Sequence, residues 1–243
     1  MSSRFITPDW PAPANIKAVM TTRDGGVSAP PFDSLNLGDH VGDLPEAVAQ
    51  NRKIISELLD LPAQPKWLNQ THSTIAVGPT DSECDGDASF SDIAGTVCTV
   101  MTADCLPLLV CHQDGSEIAA IHAGWRGLSA GVIETTISQM RSKPDELMVW
   151  LGVAIGPDHF EVGDEVRQQF LADDVQADEA FRPSKREGRW IADIYRLARI
   201  RLKRLGVCAI YGGGLCSYTD SERFFSYRRD GVCGRMASLI WME

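Results

Sequence analysis

Hydrophobic residues along the chain follow two different spacings, which together predict a mixture of helices and strands. In four segments the apolar positions lie three or four residues apart, as on one face of a helix. Asp43, Pro45 and Glu46 add a helix-start signal to the first segment, and Gly206 follows the last one as a C-cap. The predicted helices cover residues 43–60, 128–140, 164–171 and 191–205.

Short runs of β-branched and other apolar residues, bounded by turn residues, predict the strands. They cover residues 96–101, 105–111, 117–122, 148–155, 207–211 and 236–241. Strands and helices do not alternate regularly, so the pattern favours an α+β protein over a doubly wound one. We expect mixed β-sheets flanked by about four helices, within a single domain that spans residues 1–243.

The strands on either side of Asp114-Gly115 predict a β-hairpin, because this dipeptide is typical of tight turns. In such a hairpin the numbers of paired residues sum to about 227–229. Cys105 then lies opposite His122 or Gly124, at about 5 Å if directly paired with His122 and about 7 Å if diagonal to it. Either distance suits a shared metal ion or a Cys–His catalytic pair.

Charge and composition exclude several classes of partner. The formal net charge of −10 disfavours nucleic acid, whose phosphate backbone attracts basic surfaces. No stretch approaches the roughly 20 apolar residues of a membrane span, and the N-terminus lacks the apolar core of a secretory signal. Seven cysteines without a CxxC pair indicate reduced thiols, so we expect a cytoplasmic protein that acts on a small molecule.

Six motifs rich in glycine and polar residues lie in order along the chain: Thr21–Ser28, Ser34–Asp43, Asn69–Ser73, Thr102–Pro107, His122–Gly127 and Phe224–Asp230. Through them the sequence resembles the YfiH family, also called the laccase-domain or polyphenol oxidase family. The resemblance implies that His72, Cys105 and His122 bind one metal ion, zinc rather than copper, and form the catalytic centre. Three protein ligands leave one zinc position for water or substrate, as in catalytic sites.

The resemblance also implies an activity, the phosphorolysis of adenosine, inosine and methylthioadenosine to the purine base and a pentose 1-phosphate. Deamination of adenosine is a further activity of the family. The expected partners are therefore a purine nucleoside and inorganic phosphate. Arginine binds phosphate through paired N–H groups, and Arg126, Arg52 and Arg228 are the candidates for this role. Asp104, beside Cys105, is either an acid–base group or a carboxylate that caps its loop.

Two other enzymatic interpretations remain open. In the first, Cys105 is a nucleophile and His122 its base, in an amidase that acts on a cell-wall precursor during peptidoglycan editing. The family's similarity to the catalytic domain of cytotoxic necrotizing factor, a cysteine hydrolase fold, favours this interpretation. In the second, the chain is a copper-dependent polyphenol oxidase, which we disfavour because five histidines are few for several copper centres.

A non-enzymatic interpretation, a metal-stabilised binding domain, requires a fourth protein ligand that the sequence does not offer. The segment Cys84–Asp92 carries alternating carboxylates, but it lacks the glycine and glutamate of a calcium-binding EF-hand loop. His72 separates the two main interpretations, because a zinc site requires it and a Cys–His pair does not.

Overall fold

A computed structural model describes residues 4–243 of the chain. The strands are β1 (Phe5–Ile6), β2 (Ile16–Thr21), β3 (Ala76–Val77), β4 (Ala88–Ser91), β5 (Val97–Thr102), β6 (Leu106–His112), β7 (Ile118–Ala123), β8 (Leu147–Leu151), β9 (Glu161–Gly163), β10 (Phe181–Pro183), β11 (Arg189–Ala192), β12 (Ala209–Gly212) and β13 (Met236–Met242). The helices are α1 (Pro45–Leu58), α2 (Trp125–Ala130), α3 (Val132–Gln139), α4 (Asp164–Asp173), α5 (Ile194–Leu205) and α6 (Tyr227–Asp230), with two 3-10 helices at Pro144–Glu146 and Val175–Ala180.

A six-stranded mixed sheet in the order β12-β8-β6-β7-β4-β3 forms the centre of the molecule. Its inner strands read as nearly continuous apolar runs because both faces of the sheet are covered. On one face Leu106, Leu108 and Ile121 pack under helices α2 to α5. On the other face Leu109 and Trp150 pack against a second sheet.

That second sheet is four-stranded and antiparallel, in the order β1-β2-β13-β5. Its inner face, with Met20 and Val100, packs on the central sheet. Its outer face is covered by α1 through Ile55 and by the loop that carries Leu37. The protein is thus layered as helix, sheet, sheet and helices, while β9, β10 and β11 form a small separate sheet beside α4.

The structure confirms the α+β class and the hairpin, with differences in the helices. The predicted helix 128–140 is two helices, because Gly131 adopts the left-handed conformation (φ +99°) between α2 and α3. The predicted helix 191–205 begins at Ile194, after the N-cap Asp193, and residues 189–192 form a strand. With the short α6, the described residues contain six α-helices rather than four. None of the described helices is long and apolar enough to cross a membrane.

Candidate active site

Cys105 and His122 come together because of the register of the β6–β7 hairpin. Pro107 pairs with His122 and Leu106 with Ala123, so that Cys105, directly before β6, falls opposite Gly124. Cys105 and His122 are therefore diagonal neighbours, the second of the two arrangements that the sequence predicts. Their side chains project from the end of the hairpin where α2 begins.

His72 reaches the same point from the long loop between α1 and β3. Its backbone is left-handed (φ +62°), a conformation that residues other than glycine rarely adopt. The side chain of Gln70 holds this loop against β5, since its amide donates to the carbonyl of Met101 and its oxygen accepts from the Met101 N–H. This clamp fixes the start of the turn on which His72 lies.

A buried carboxylate, Asp87, ties His72 and His122 together. Asp87 precedes β4 and lies opposite His122 in the β4–β7 pairing, where Ala88 pairs with Ile121. Its Oδ1 accepts from His122 Nδ1 at 2.7 Å and from the His72 backbone N–H at 3.0 Å. Its Oδ2 accepts from the hydroxyl of Ser73 at 2.7 Å. Because the Nδ1–H of His122 donates to Asp87, the Nε2 atom of His122 is left to face Cys105 or a metal ion.

The three donor side chains form one cluster. Their ligand atoms lie within 4.8 Å of one another, and His72 Nε2 is 3.6 Å from Cys105 Sγ. The cluster closes over Gly124, where an added Cβ would lie 2.5 Å from His72 Cδ2 and 3.0 Å from Cys105 Sγ. Only glycine leaves room for this packing.

The charges at this cluster favour a thiolate. Burial raises the pKa of Cys105, but the charge of His122 and hydrogen bonds from both histidines outweigh it and lower the pKa to about 6. Burial lowers the pKa of His122, whereas the Cys105 thiolate and Asp87 raise it to about 9. Burial also opposes the charge on Asp87, yet hydrogen bonds from His122 and Ser73 lower its pKa to about 2. Near neutral pH the metal-free cluster is therefore a thiolate beside an imidazolium.

The cluster opens into a cleft of about 520 Å³. Aromatic side chains from α2, the loop before β9 and α6 line it, namely Trp125, Phe160 and Tyr227. Asp104 also lines the cleft, but both of its oxygens are engaged, since Oδ1 accepts from the Ser217 hydroxyl and Oδ2 from the Arg228 backbone N–H. Asp104 therefore caps the strained turn (φ +83°) before Cys105 and is not free as an acid–base group.

Two of the three predicted arginines lie in the cleft and one does not. Arg126 stacks on Trp125, and Arg228 donates to the carbonyls of His159 and Glu161. Arg52 is absent from the lining. Its guanidinium instead donates twice to the carbonyl of Leu37, pairs with Asp39 and stacks on Trp67.

Asp87, His40 and Arg235 are site residues that the sequence reasoning missed. Asp87 lies in the segment that the sequence analysis rejected as an EF-hand loop. A prediction that β4 pairs with β7 would have placed Asp87 opposite His122 and so identified it. His40 and Arg235 both line the cleft, although nearly 200 residues separate them in the chain. No local pattern indicates that these two segments meet.

The remaining histidines do not form a second metal centre in the part of the chain that the structure describes. His112 lies at the hairpin turn beside Asp114, and His159 stacks on Tyr218 with ring centroids 4.3 Å apart. His40 contacts Asp39 at 3.6 Å. Among residues 4–243, His72, Cys105 and His122 are the one group of metal-binding side chains close enough to share an ion.

The chain is similar to several known proteins over nearly its whole length. Residues 17–243 match the family described as multi-copper polyphenol oxidoreductase laccase. A Pseudomonas aeruginosa protein named purine nucleoside phosphorylase is 54% identical over 240 residues, 98% of either chain. The purine nucleoside phosphorylase YfiH of Escherichia coli K12 is 51% identical over 243 residues, 99% of either chain.

Solved structures agree with these relatives. A Neisseria meningitidis protein of known crystal structure is 50% identical in sequence to this chain. The two structures superpose with a TM-score of 0.95 over 99% of this chain and 100% of that one. The Bacillus licheniformis protein YfiH is 29% identical, with a TM-score of 0.88 over 94% of this chain and 93% of that one. Together the family match, the sequence identities and the shared fold establish that the chain belongs to the YfiH, or laccase-domain, family.

Proposed function

We propose that this protein is a metal-dependent purine nucleoside phosphorylase of the cytoplasm, with zinc held by His72, Cys105 and His122. The observation that carries the proposal is the meeting of this donor cluster with a cationic, aromatic cleft. Relatives about half identical over nearly the full chain bear the name purine nucleoside phosphorylase. The seven cysteines, all free in the described residues, agree with a reducing compartment.

The donor set fits a zinc ion. A thiolate and two imidazoles are typical zinc ligands, and the lowered pKa of Cys105 supplies the thiolate at neutral pH. The Asp87–His122 hydrogen bond provides the carboxylate support that metal-binding histidines usually have. When bound, zinc would supply Lewis-acid character that orients phosphate or polarises a substrate oxygen.

The cleft also suits an anionic co-substrate. Arg126, Arg228 and Arg235 line it, and none of the three forms an ion pair with a carboxylate among residues 4–243. Asp104, the acidic residue in the lining, instead accepts hydrogen bonds from the Ser217 hydroxyl and the Arg228 backbone N–H. A protein with a net charge of −10 thus concentrates unpaired positive charge at this cleft. Such charge attracts the phosphate anion to the cleft and holds it there for reaction.

Aromatic side chains account for the nucleoside. Trp125, Phe160 and Tyr227 present flat apolar surfaces on which a purine can stack. Tyr227 is 61% exposed, so its ring is available to a ligand. In phosphorolysis the oxygen of phosphate bonds to C1′ as the bond from C1′ to the purine nitrogen breaks. The chain's part is to hold both reactants in line and to limit water, which would give hydrolysis.

Incubation of the purified protein with adenosine or inosine, with and without phosphate, tests this proposal. We expect free base and ribose 1-phosphate in equal amounts, and little base without phosphate. Conversion of adenosine to inosine, measured in the same samples, reports deamination. Cys105→Ala should abolish base release. Cys111→Ala, which removes a buried thiol on β6 outside the cleft, is the matched control and should retain base release. Release of the base at the same rate with and without phosphate would contradict the proposal.

The geometry favours one second candidate, a cysteine hydrolase. The site contains the three groups that such enzymes use, hydrogen-bonded in series: Cys105 as nucleophile, His122 as base and Asp87 as the carboxylate that orients the base. An amide of a cell-wall precursor is the corresponding substrate class. In that case the metal-free protein would be the active form, which the His72 variant described below tests directly.

A further inference from the structure

We propose that Arg235 and His40 form the subsite that binds inorganic phosphate in the cleft. This proposal rests on the proposed function, because phosphate is the second substrate of that reaction. It replaces the role that the sequence suggested for Arg52. Three observations carry it: the anchoring of Arg235, the free edge of its guanidinium and the position of His40.

The backbone of Arg235 is fixed against the loop that carries His40. The Arg235 N–H donates to Asn36 Oδ1 at 2.9 Å, and the Leu37 N–H donates to the Arg235 carbonyl at 3.1 Å. The side chain then lies across Gly38, where an added Cβ would be 2.8 Å from Arg235 Cγ. This packing carries the guanidinium toward His40, two residues further along, and both side chains line the cleft.

The guanidinium of Arg235 keeps one edge available. Its Nη1 donates to the carbonyls of Cys233 and Gly234 at 2.9 and 3.1 Å, which orients the plane of the group. Its Nε and Nη2 have no acceptor among residues 4–243. Those two atoms form the edge that donates in parallel to two oxygens of a phosphate. The group is therefore oriented by the protein and unsatisfied on the side that an oxyanion would occupy.

His40 adds a second donor to this subsite, and Arg52 supports it indirectly. The half-exposed His40 ring contacts Asp39 at 3.6 Å, and burial, followed by the charge of Arg235, lowers the pKa of His40. The neutral imidazole that this favours still has one N–H, which can donate to an anion held by Arg235. Asp39, the nearest carboxylate, is paired with Arg52 at 3.3 Å and is not part of the cleft lining. Arg52 thus offsets the negative charge that would otherwise repel phosphate.

The test is calorimetric titration of inorganic phosphate into the wild-type protein and into Arg235→Ala, without nucleoside. We expect wild type to bind phosphate and Arg235→Ala to bind it at least about tenfold more weakly, as a lost bidentate charged contact predicts. Arg235→Lys, which keeps the charge without the fork, should fall between them, and His40→Gln should also weaken binding. Arg189→Ala removes an exposed arginine outside the cleft and should bind like wild type.

Steady-state kinetics extend the test to the reaction. In Arg235→Ala the KM for phosphate should rise by the same factor, while the KM for nucleoside and the metal content stay unchanged. Equal phosphate binding by wild type and both Arg235 variants, or none by wild type, would overturn the subsite. Phosphate binding that depends on Arg235 without any phosphorolysis would uphold the subsite and refute the proposed function.

Discussion

Asp87 Oδ1 lies 2.7 Å from His122 Nδ1 and 3.0 Å from the backbone N–H of His72, so one buried carboxylate positions both histidines of the cluster. The first contact keeps the proton of a neutral His122 on Nδ1, which leaves Nε2 free for a metal ion. The second stabilises the left-handed backbone of His72. Asp87 is thus a positioning residue that links the central sheet to the loop between α1 and β3.

Replacing the Asp87 carboxylate should weaken metal binding in a protein that still folds. We expect Asp87→Asn to lower zinc affinity about 10–100-fold, as is typical for partners of metal-binding histidines. Chelator competition measures this affinity. Asp92→Asn, which removes a carboxylate paired with Arg141 on the surface, is the control and should keep wild-type affinity. Unchanged affinity in Asp87→Asn would show that Asp87 does not position His122.

Gly124→Ala tests the close packing of the cluster. Its backbone (φ −61°, ψ 153°) accepts any residue, so the effect of the added Cβ is steric. The Cβ would displace His72 or Cys105, with an expected loss of metal and of about 1–3 kcal/mol in the free energy of unfolding. Gly188→Ala is the control, since it has a left-handed backbone but open space around it. It should lose about 1 kcal/mol and retain full metal content.

The reactivity of Cys105 in metal-free protein should depend on pH as that of a thiolate does. Its pKa is lowered from 9.0 to about 6, so the alkylation rate with iodoacetamide should reach half its maximum near pH 6 and be level at pH 8. Peptide mass spectrometry measures the rate, with exposed Cys84 as internal reference. Added zinc should protect Cys105. A rate that still rises steeply above pH 8 would contradict the thiolate–imidazolium pair.

The same shifts set the sign of the stability change with pH. A lowered pKa in the folded state means that the Cys105 thiolate stabilises the fold fully above pH 9, and that this contribution is lost as the pH falls through 6. The raised pKa of His122 acts in the opposite direction, with stabilisation present below 6.5 and lost as the pH rises through about 9. Over about pH 6.5 to 9 the two contributions change with opposite slopes and largely cancel, so the free energy of unfolding of metal-free protein should change little across this range in urea titrations. A steep change within the range would contradict the paired titration.

His72→Ala separates the two candidate functions. A metal-dependent phosphorylase should lose both bound zinc and phosphorolysis, because two protein ligands hold zinc poorly. A Cys105–His122–Asp87 hydrolase should keep its activity toward amide substrates. His112→Ala, at the hairpin turn outside the cleft, is the matched control. Amide hydrolysis by metal-free His72→Ala would favour the hydrolase.

The fold class and part of the site follow from local patterns, and the rest depends on distant contacts. The turn at Asp114-Gly115 sets the hairpin register, which suffices to bring Cys105 beside His122. His72 could be assigned only through the family resemblance, because its loop is held by contacts to β5 and Asp87 that no spacing encodes.

The side of the cleft that we propose binds phosphate illustrates the same limit. The sequence suggests Arg52 as a phosphate-binding residue. In the structure, however, its position on α1 directs the guanidinium to Leu37 and Asp39, outside the cleft lining. Arg235 reaches the cleft because β13 pairs between β2 and β5, which places the residue before it against the loop of Asn36. Pairings over such distances are set by tertiary packing, and one sequence does not reveal them.

Metal reconstitution is the decisive experiment on whether His72, Cys105 and His122 hold a zinc ion that phosphorolysis requires. Protein stripped with a chelator is titrated with zinc while bound metal and phosphate-dependent adenine release are measured on the same samples. We expect stripped protein to be inactive, and activity to return in proportion to added zinc and level off at about one ion per chain. Cys105→Ala should gain neither zinc nor activity. Full phosphorolysis by the stripped protein, or stoichiometric zinc binding by Cys105→Ala, would contradict it.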